Sequence, residues 1–273
     1  MASSPEQVVA ELREAVLATR ASDEWFDDDR QMVFDLVQFS IARWVDDLGR
    51  SLRRAVKAIE KAREHTGEPD EEMAEELEEA LTQVGSARDK VVAVIALVFG
   101  VPSLALQKPG MKFEPKGSAV KGALSKLGAE GHAQAGQVKK QLDALDDHVG
   151  ISLRNQIIHA LSPLGELAEN CWFRRADLDE KGGIIGWSRS RLLPRGTLDQ
   201  GDIKPETIWK WAVESAEDAI GLLGEAIEAL TKLVKAVGEI APPQAVYVWP
   251  DGRIIFQRPK SDWLERGLTR ENE

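Results

Sequence analysis

The chain has 273 residues, 43% of them hydrophobic and 30% charged, which is the make-up of a globular protein long enough to bury a core. A net charge of -11 excludes coating of nucleic acid or anionic membrane by overall charge, so any anionic ligand has to meet a local basic patch. The single cysteine, Cys171, excludes an intrachain disulfide and a cysteine-based zinc cluster, and it suits a reducing cytoplasm.

The opening "MASSPEQVVAELREAV" is acidic and amphipathic, without the basic and apolar regions of a signal peptide, and the expected compartment is cytoplasmic. Ser4-Pro5-Glu6 predicts a first helix to about Arg20, with Ser4 as N-cap and Pro5 at the first helical position. Asp23 to His65 reads as one long helix, or two broken near Gly49, with Phe26, Val33, Leu36, Val37, Ile41, Trp44 and Val45 on one stripe. After the turn "HTGEPDEE", a helix opens on the acidic run Glu68 to Glu79, which suits its dipole, and turns wholly apolar over Val91 to Phe99. The apolar run from Val91 to Leu106 contains Pro102 and falls short of the roughly 18 uninterrupted apolar residues of a membrane span. It predicts a buried helix ending near Gly100.

Residues 102–119 read as a linker rich in Pro, Gly and Lys, with Lys108, Lys112, Lys116 and Lys121 in a solvated basic stretch. Ala119 to His148 reads as helical, weakened by glycines. From Cys171 to Leu193, two strand-like runs flank Asp-Glu-Lys-Gly-Gly, the chemistry of a hairpin. Pro205 opens a long helix to about Ile240, with Ile208, Trp211, Ala212, Ala219, Leu222, Leu223 and Ile227 facing inward. After Pro242-Pro243, "AVYVWPDGRIIFQR" reads as a second hairpin, and the two hairpins are expected to pair into one small sheet. The predicted fold is all-α, a mostly antiparallel helical bundle with a small accessory β-hairpin sheet. Residues 1–241 would form the bundle, with a motif helix at about 152–164 and an inserted hairpin at about 171–193. Residues 242–273 would form a C-terminal hairpin and tail.

The motif helix is "SLRNQIIHALSPL", Ser152 to Leu164, which sets Arg154, Asn155 and His159 among aliphatic residues. At about 100° per residue, Leu153, Ile157, Ala160 and Leu164 form the apolar face, and Asn155, His159 and Ser162 share the opposite flank. Ile151 and Ile158 form a strip between the flanks, suited to contact with a second copy. With Ser152 as N-cap, Arg154 falls in the first turn, where free N–H groups and the helix dipole favour an anion. A histidine can take a proton from a ribose 2′-hydroxyl, and an arginine can hold a phosphoryl group as its charge grows. Asn155 is placed to orient the imidazole or to bind a phosphate oxygen.

The core "RNQIIH" resembles the signature of the HEPN superfamily (higher eukaryotes and prokaryotes nucleotide-binding domain). That signature is an arginine, a polar residue that is often asparagine, and a histidine after four intervening positions, near the start of a bundle helix. The resemblance covers these six residues and their helical setting. It implies an all-helical domain that dimerises with its motif helices facing one another, so that two Arg/His sets line one cleft. In many members it implies a metal-independent endoribonuclease of toxin–antitoxin, abortive-infection or antiviral systems. Carried over, Arg154 would stabilise the phosphoryl group, His159 would be general base or acid, and Asn155 would support them, with no metal or cofactor. The implied partners are RNA, a second copy through the motif helix, and an antitoxin or defence-system protein; no membrane is involved. A common toxin subgroup has a tyrosine two residues after the histidine, where this chain has Leu161.

Trp172, Trp187 and Trp249 fall in the hairpins, beside Arg174, Arg175, Arg189 and Arg191. Aromatics interleaved with arginines suit RNA, the bases stacking and the phosphates pairing. The plainer alternative is core tryptophans with rim arginines. His65, His132, His148 and His159 lack metal-ligand spacing, and there is no nucleophile elbow or phosphate-cradling loop. His148 reads as a helix C-terminal histidine satisfied by a carbonyl, with a second cleft residue as the alternative. Three functional readings stand from sequence: an endoribonuclease, a catalytically silent helical dimer that binds nucleotide, RNA or a protein partner, and a helical interaction protein unrelated to HEPN whose acidic front is the partner surface.

Overall fold

A computed structural model of the chain describes residues 4–21, 30–64, 71–101, 117–148, 150–151, 172–178, 184–191, 205–241, 245–248 and 254–257. The first helix, α1 (Pro5–Leu17), starts as its sequence dictates: Ser4 is extended and its hydroxyl accepts the Gln7 N–H at 3.3 Å, with Pro5 following. The long helix α2 (Arg30–Glu64) runs unbroken through Gly49. Its buried stripe, Phe34, Val37, Ile41, Val45, Leu48, Leu52, Ala55 and Ile59, keeps helical spacing throughout, so packing on both sides holds the glycine in register. Helix α3 (Glu71–Val98) is solvated on one side at its acidic start, and every residue from Val91 to Phe99 is buried. It stops where predicted: Gly100 is left-handed at φ 71°, and the Val101 N–H returns to the Ala96 carbonyl at 3.0 Å.

Two helices occupy the stretch expected to be one. Helices α4 (Gly117–Ala129) and α5 (Ala133–Asp146) are parted by Gly131 at φ 101°. The Gly131 N–H bonds to the Gly128 carbonyl and the His132 N–H to the Leu127 carbonyl, the paired closure that a left-handed glycine permits. Helix α4 also begins two residues inside the expected linker. Helix α6 (Pro205–Val237) ends at Gly238, φ 68°, whose N–H bonds to the Val234 carbonyl at 2.8 Å. The predicted inward residues Ala212, Ala219, Leu223 and Ile227 are buried.

The chain is all-α with minor β structure. Strand β1 (Arg20–Ala21) runs parallel to β4 (Glu239–Ile240), a pairing too short to leave a pattern in the sequence. Strands β2 (Trp172–Leu178) and β3 (Ile184–Arg191) form one hairpin, and β5 (Ala245–Val248) and β6 (Ile254–Gln257) the other. Among the described residues the expected merger of the two hairpins into one sheet is absent; each is a two-stranded sheet of its own. The β2–β3 edges are rich in arginine, and the register shifts between Asp177 and Leu178, both of which discourage a third strand.

The chain divides into two compact units, and α2, α3 and α6 contribute to both. The first (residues 1–51, 86–144 and 222–273) centres on Leu12, Ile41, Ile95, Phe99, Leu124, Leu142, Leu223 and Leu230. There the ends of α1, α3 and α6 meet. The Arg20 N–H bonds to the Gly238 carbonyl at 2.9 Å, and the Ala241 N–H caps α3 through the Val98 carbonyl at 3.0 Å. The second unit (residues 52–85 and 145–221) is built on Leu52, Ile59, Leu77, Leu81, Leu145, Ile151, Ala212 and Ala216. Within it Arg63 pairs with Glu217 at 2.6 Å. No helix among the described residues is long and apolar enough to cross a membrane.

Candidate functional site

Arg154, Asn155 and His159 lie outside the described residues, as does the rest of the stretch from Ser152 to Leu164. The chain leading into the motif is described. After α5, the His148 N–H bonds to the Leu145 carbonyl at 3.1 Å, and the His148 carbonyl accepts the Ile151 N–H at 3.1 Å. The imidazole turns forward: Nδ1 accepts the Gly150 N–H at 3.1 Å. Gly150 and Ile151 are already helical, and the His148 ring serves the Gly150 N–H, one of the backbone donors that a helix start leaves unpaired.

Two expectations are corrected here. His148, expected to be satisfied by a carbonyl at the end of α5, instead accepts at Nδ1 from the Gly150 N–H of the turn that follows. Ile151 is only 6% exposed, so it is a core residue of this chain and not part of a strip offered to a second copy. Its partner in that strip, Ile158, lies outside the described residues. Gly150 has close neighbours on one side. A β-carbon there would come within 3.2 Å of His148 Nδ1, 3.4 Å of the Ser215 carbonyl oxygen on α6 and 3.5 Å of Leu81 Cδ2 on α3. Burial holds the imidazole below the usual histidine range, and the Asp218 carboxylate pulls weakly the other way.

The four hairpin arginines are placed by the backbone register of β2 and β3. The register sets Trp172 opposite Arg191, Arg174 opposite Arg189, Arg175 opposite Ser188 and Ala176 opposite Trp187. Alternation along the strands assigns Trp172, Arg174, Trp187, Arg189 and Arg191 to one face of the ribbon and Arg175 to the other.

Two other polar groupings were not apparent in the sequence. Lys90 on α3 donates to Ser51 Oγ at 2.8 Å and Ser86 Oγ at 2.7 Å, which satisfies a half-buried ammonium between α2 and α3. An i, i+4 spacing flags Ser86 and Lys90 in hindsight, but nothing local points to Ser51. In the second unit a cavity of about 270 Å³ is lined by Lys61, Ala62, Glu64, Glu72, Met73 and Glu76. Three glutamates against one lysine, itself paired with Glu76, repel a polyanion, so a nucleic acid has no purchase there. Among the described residues, no three His, Cys, Asp or Glu side chains are grouped to hold a metal ion.

No family model, no curated protein and no solved structure matches the chain.

Proposed function

We propose that this protein is a metal-independent endoribonuclease of HEPN type, cleaving RNA at a cleft formed across a homodimer, in a prokaryotic toxin or antiviral-defence role within the cytoplasm. The observation that carries the reading is the Arg154–Asn155–His159 spacing in the sequence of an all-α chain. His159 removes the proton of the ribose 2′-hydroxyl, which attacks the adjacent phosphorus, while Arg154 neutralises the charge that builds on the phosphoryl oxygens. Asn155 holds the imidazole or a phosphate oxygen. Arg174, Arg189 and Arg191, at register positions of the same parity as Trp172 and Trp187, support RNA as the ligand, with Arg175 at the alternate parity. The same grouping also fits a catalytically silent dimer that only binds RNA, and cleavage separates the two readings.

The test is RNA cleavage by the purified protein in excess EDTA, with the ends of the products identified. Cyclic or 3′-phosphate ends are expected, and His159→Ala and Arg154→Ala should each abolish cleavage while leaving the thermal melt unchanged. Cleavage that survives in both variants overturns the assignment.

A further inference from the structure

We propose that the exposed face of the α2–α3 pair in the second unit is a docking surface for a second copy of this chain, the basic run of each copy lying on the acidic run of the other. Along α2, Arg53, Arg54 and Lys57 are exposed, and among the described residues none of them forms an ion pair. Neighbouring cations of α2 are matched within the chain, Arg50 to Asp47, Lys61 to Glu76 and Arg63 to Glu217. Along α3, Glu72, Glu75 and Glu79 are exposed and likewise form no ion pair among the described residues. Glu79 accepts only from Gln83 on its own helix, at 3.1 Å.

The Lys61–Glu76 ion pair sets both runs on one side of the helix pair. Arg54 and Lys57 precede Lys61 by seven and four residues, and Glu72 and Glu79 stand four before and three after Glu76, spacings that keep each run on the stripe carrying the ion pair. The opposite stripes, with Leu52 and Ile59 on α2 and Leu77 and Leu81 on α3, are buried in the unit. The helices run antiparallel, since Ser51 meets Lys90 while Lys61 meets Glu76. The residues that lead from Lys61 back to Arg54 therefore lead away from Glu72, and the two runs are offset along the pair.

Each run repels itself. Like charges three or four residues apart on a helix are unfavourable, and Lys57 stands that far from both Arg53 and Arg54, as Glu75 does from both Glu72 and Glu79. The crowding also bears on Glu78, whose carboxyl is held above the usual carboxylate range first by burial and then by the charge of Glu75. A run of the opposite sign relieves either repulsion. Two such runs side by side make the surface self-complementary, because a two-fold axis between them sets each run on its opposite in the other copy and forms the contact twice. RNA neutralises only the basic run, and on Lys57 it also meets the field of Glu79 in a chain of net charge -11. A second copy satisfies both runs. The contact involves none of the residues of the ribonuclease reading and stands apart from it.

The test is sedimentation velocity of the full chain across a protein concentration series, at about 20 mM and about 0.5 M salt, with two charge-reversed variants. One carries Arg53→Glu, Arg54→Glu and Lys57→Glu, the other Glu72→Lys, Glu75→Lys and Glu79→Lys. All six side chains are exposed, and circular dichroism checks that both variants stay helical. Exposed ion pairs are individually weak and screened, so the wild-type association constant should fall at least about tenfold between low and high salt. Each variant alone should lose this salt-sensitive step, whereas any association through the motif helix persists. An equimolar mixture of the two should regain it, because each variant supplies the sign that the other lacks. A salt-sensitive step that survives in either variant alone, a mixture no stronger than its components, or a wild type without such a step overturns the proposal. If a triple variant unfolds, Lys57→Glu mixed with Glu75→Lys gives the same comparison. A single-stranded RNA that binds the wild type but not the variant reversed at Arg53, Arg54 and Lys57, in the absence of self-association, overturns it in favour of nucleic acid.

Discussion

The side-chain amide of Gln38, on α2, donates to the main-chain carbonyl of Thr19 at 3.0 Å, just past the end of α1. The same nitrogen lies 3.1 Å from the carbonyls of Val16 and Leu17, so one NH₂ group gathers the acceptors that the last turn of α1 leaves without intrahelical donors. Thr19 Oγ1 completes the set by donating to the Val16 carbonyl at 2.6 Å. Gln38→Leu strands these acceptors in a part-buried place and should lower stability by about 1–3 kcal/mol. Gln38→Glu should cost at least as much at neutral pH, because a carboxylate offers no donor. Urea denaturation of the three proteins checks both, and a loss of less than half a kcal/mol in both variants would show the network to be idle.

Two glycine-to-alanine changes should act in opposite directions. At Gly150 the added carbon comes within 3.2 Å of His148 Nδ1, so the imidazole must shift and its bond from the Gly150 N–H is disturbed. A loss of about 1–3 kcal/mol is expected. At Gly122, inside α4, nothing lies within 4 Å of the new carbon, and a gain of about 0.5–1 kcal/mol is expected from helix propensity. Thermal melts of the two variants give the comparison directly.

Asp143 on α5 accepts from Lys121 on α4 at 2.7 Å, with Lys139 at 3.6 Å, and the Lys121 hydrogen bond holds its carboxyl below the usual range. A carboxyl lowered in the folded state adds stability that is present above its unfolded value and disappears as pH falls through the folded one. Asp143→Asn should therefore cost a few tenths of a kcal/mol at neutral pH, and nothing once the wild-type carboxyl is protonated. The pair is largely exposed, so about 0.5 M salt should erase most of the difference.

His148 acts with the same sign, in the histidine range instead of the carboxylate range. Its folded value lies below the usual one, so the unfolded chain binds the proton first, and stability falls as pH drops from the ordinary histidine range through the folded value. His148→Asn should flatten that limb of the stability–pH curve. Denaturation midpoints across the interval record the change.

Binding of RNA to the β2–β3 ribbon should follow its register. Arg174→Ala and Arg189→Ala are each expected to weaken binding and to reduce the salt dependence by about one unit of slope. Arg175→Ala, on the other face, should do less. Fluorescence anisotropy with a single-stranded RNA across a salt series reads all three, and equal effects at the three positions would contradict the facial division.

Much of the helical framework was legible because its signals are local. Ser4 and Pro5 announce α1, Gly100 ends α3, and the spacing of Val37, Ile41 and Val45 shows which face of α2 is buried. What escaped depends on partners distant in sequence or on a single dihedral angle. Gly131 looks like Gly122 or Gly136 until its φ is known. Gln38 carries no mark of the helix it caps, and Ser51 none of Lys90. His148 was misjudged because position alone assigns it to the end of α5, whereas its ring serves the helix that follows. The Arg–x–x–x–x–His spacing was plain in the sequence, and its side-chain geometry lies outside the described residues.

The β1–β4 pair has a consequence for synthesis. Arg20 and Glu239 stand 219 positions apart and are joined by backbone pairing and by an ion pair at 3.0 Å. A ribosome that has released α1, α2 and α3 holds a chain whose first exit strand still has no mate, because the mate follows the last long helix. The first unit can close only after translation is nearly done. Until then the apolar end of α3 lacks the Ala241 cap. An early stop codon anywhere before residue 239 would yield an unfinished product that exposes this segment, a natural substrate for chaperones and proteases.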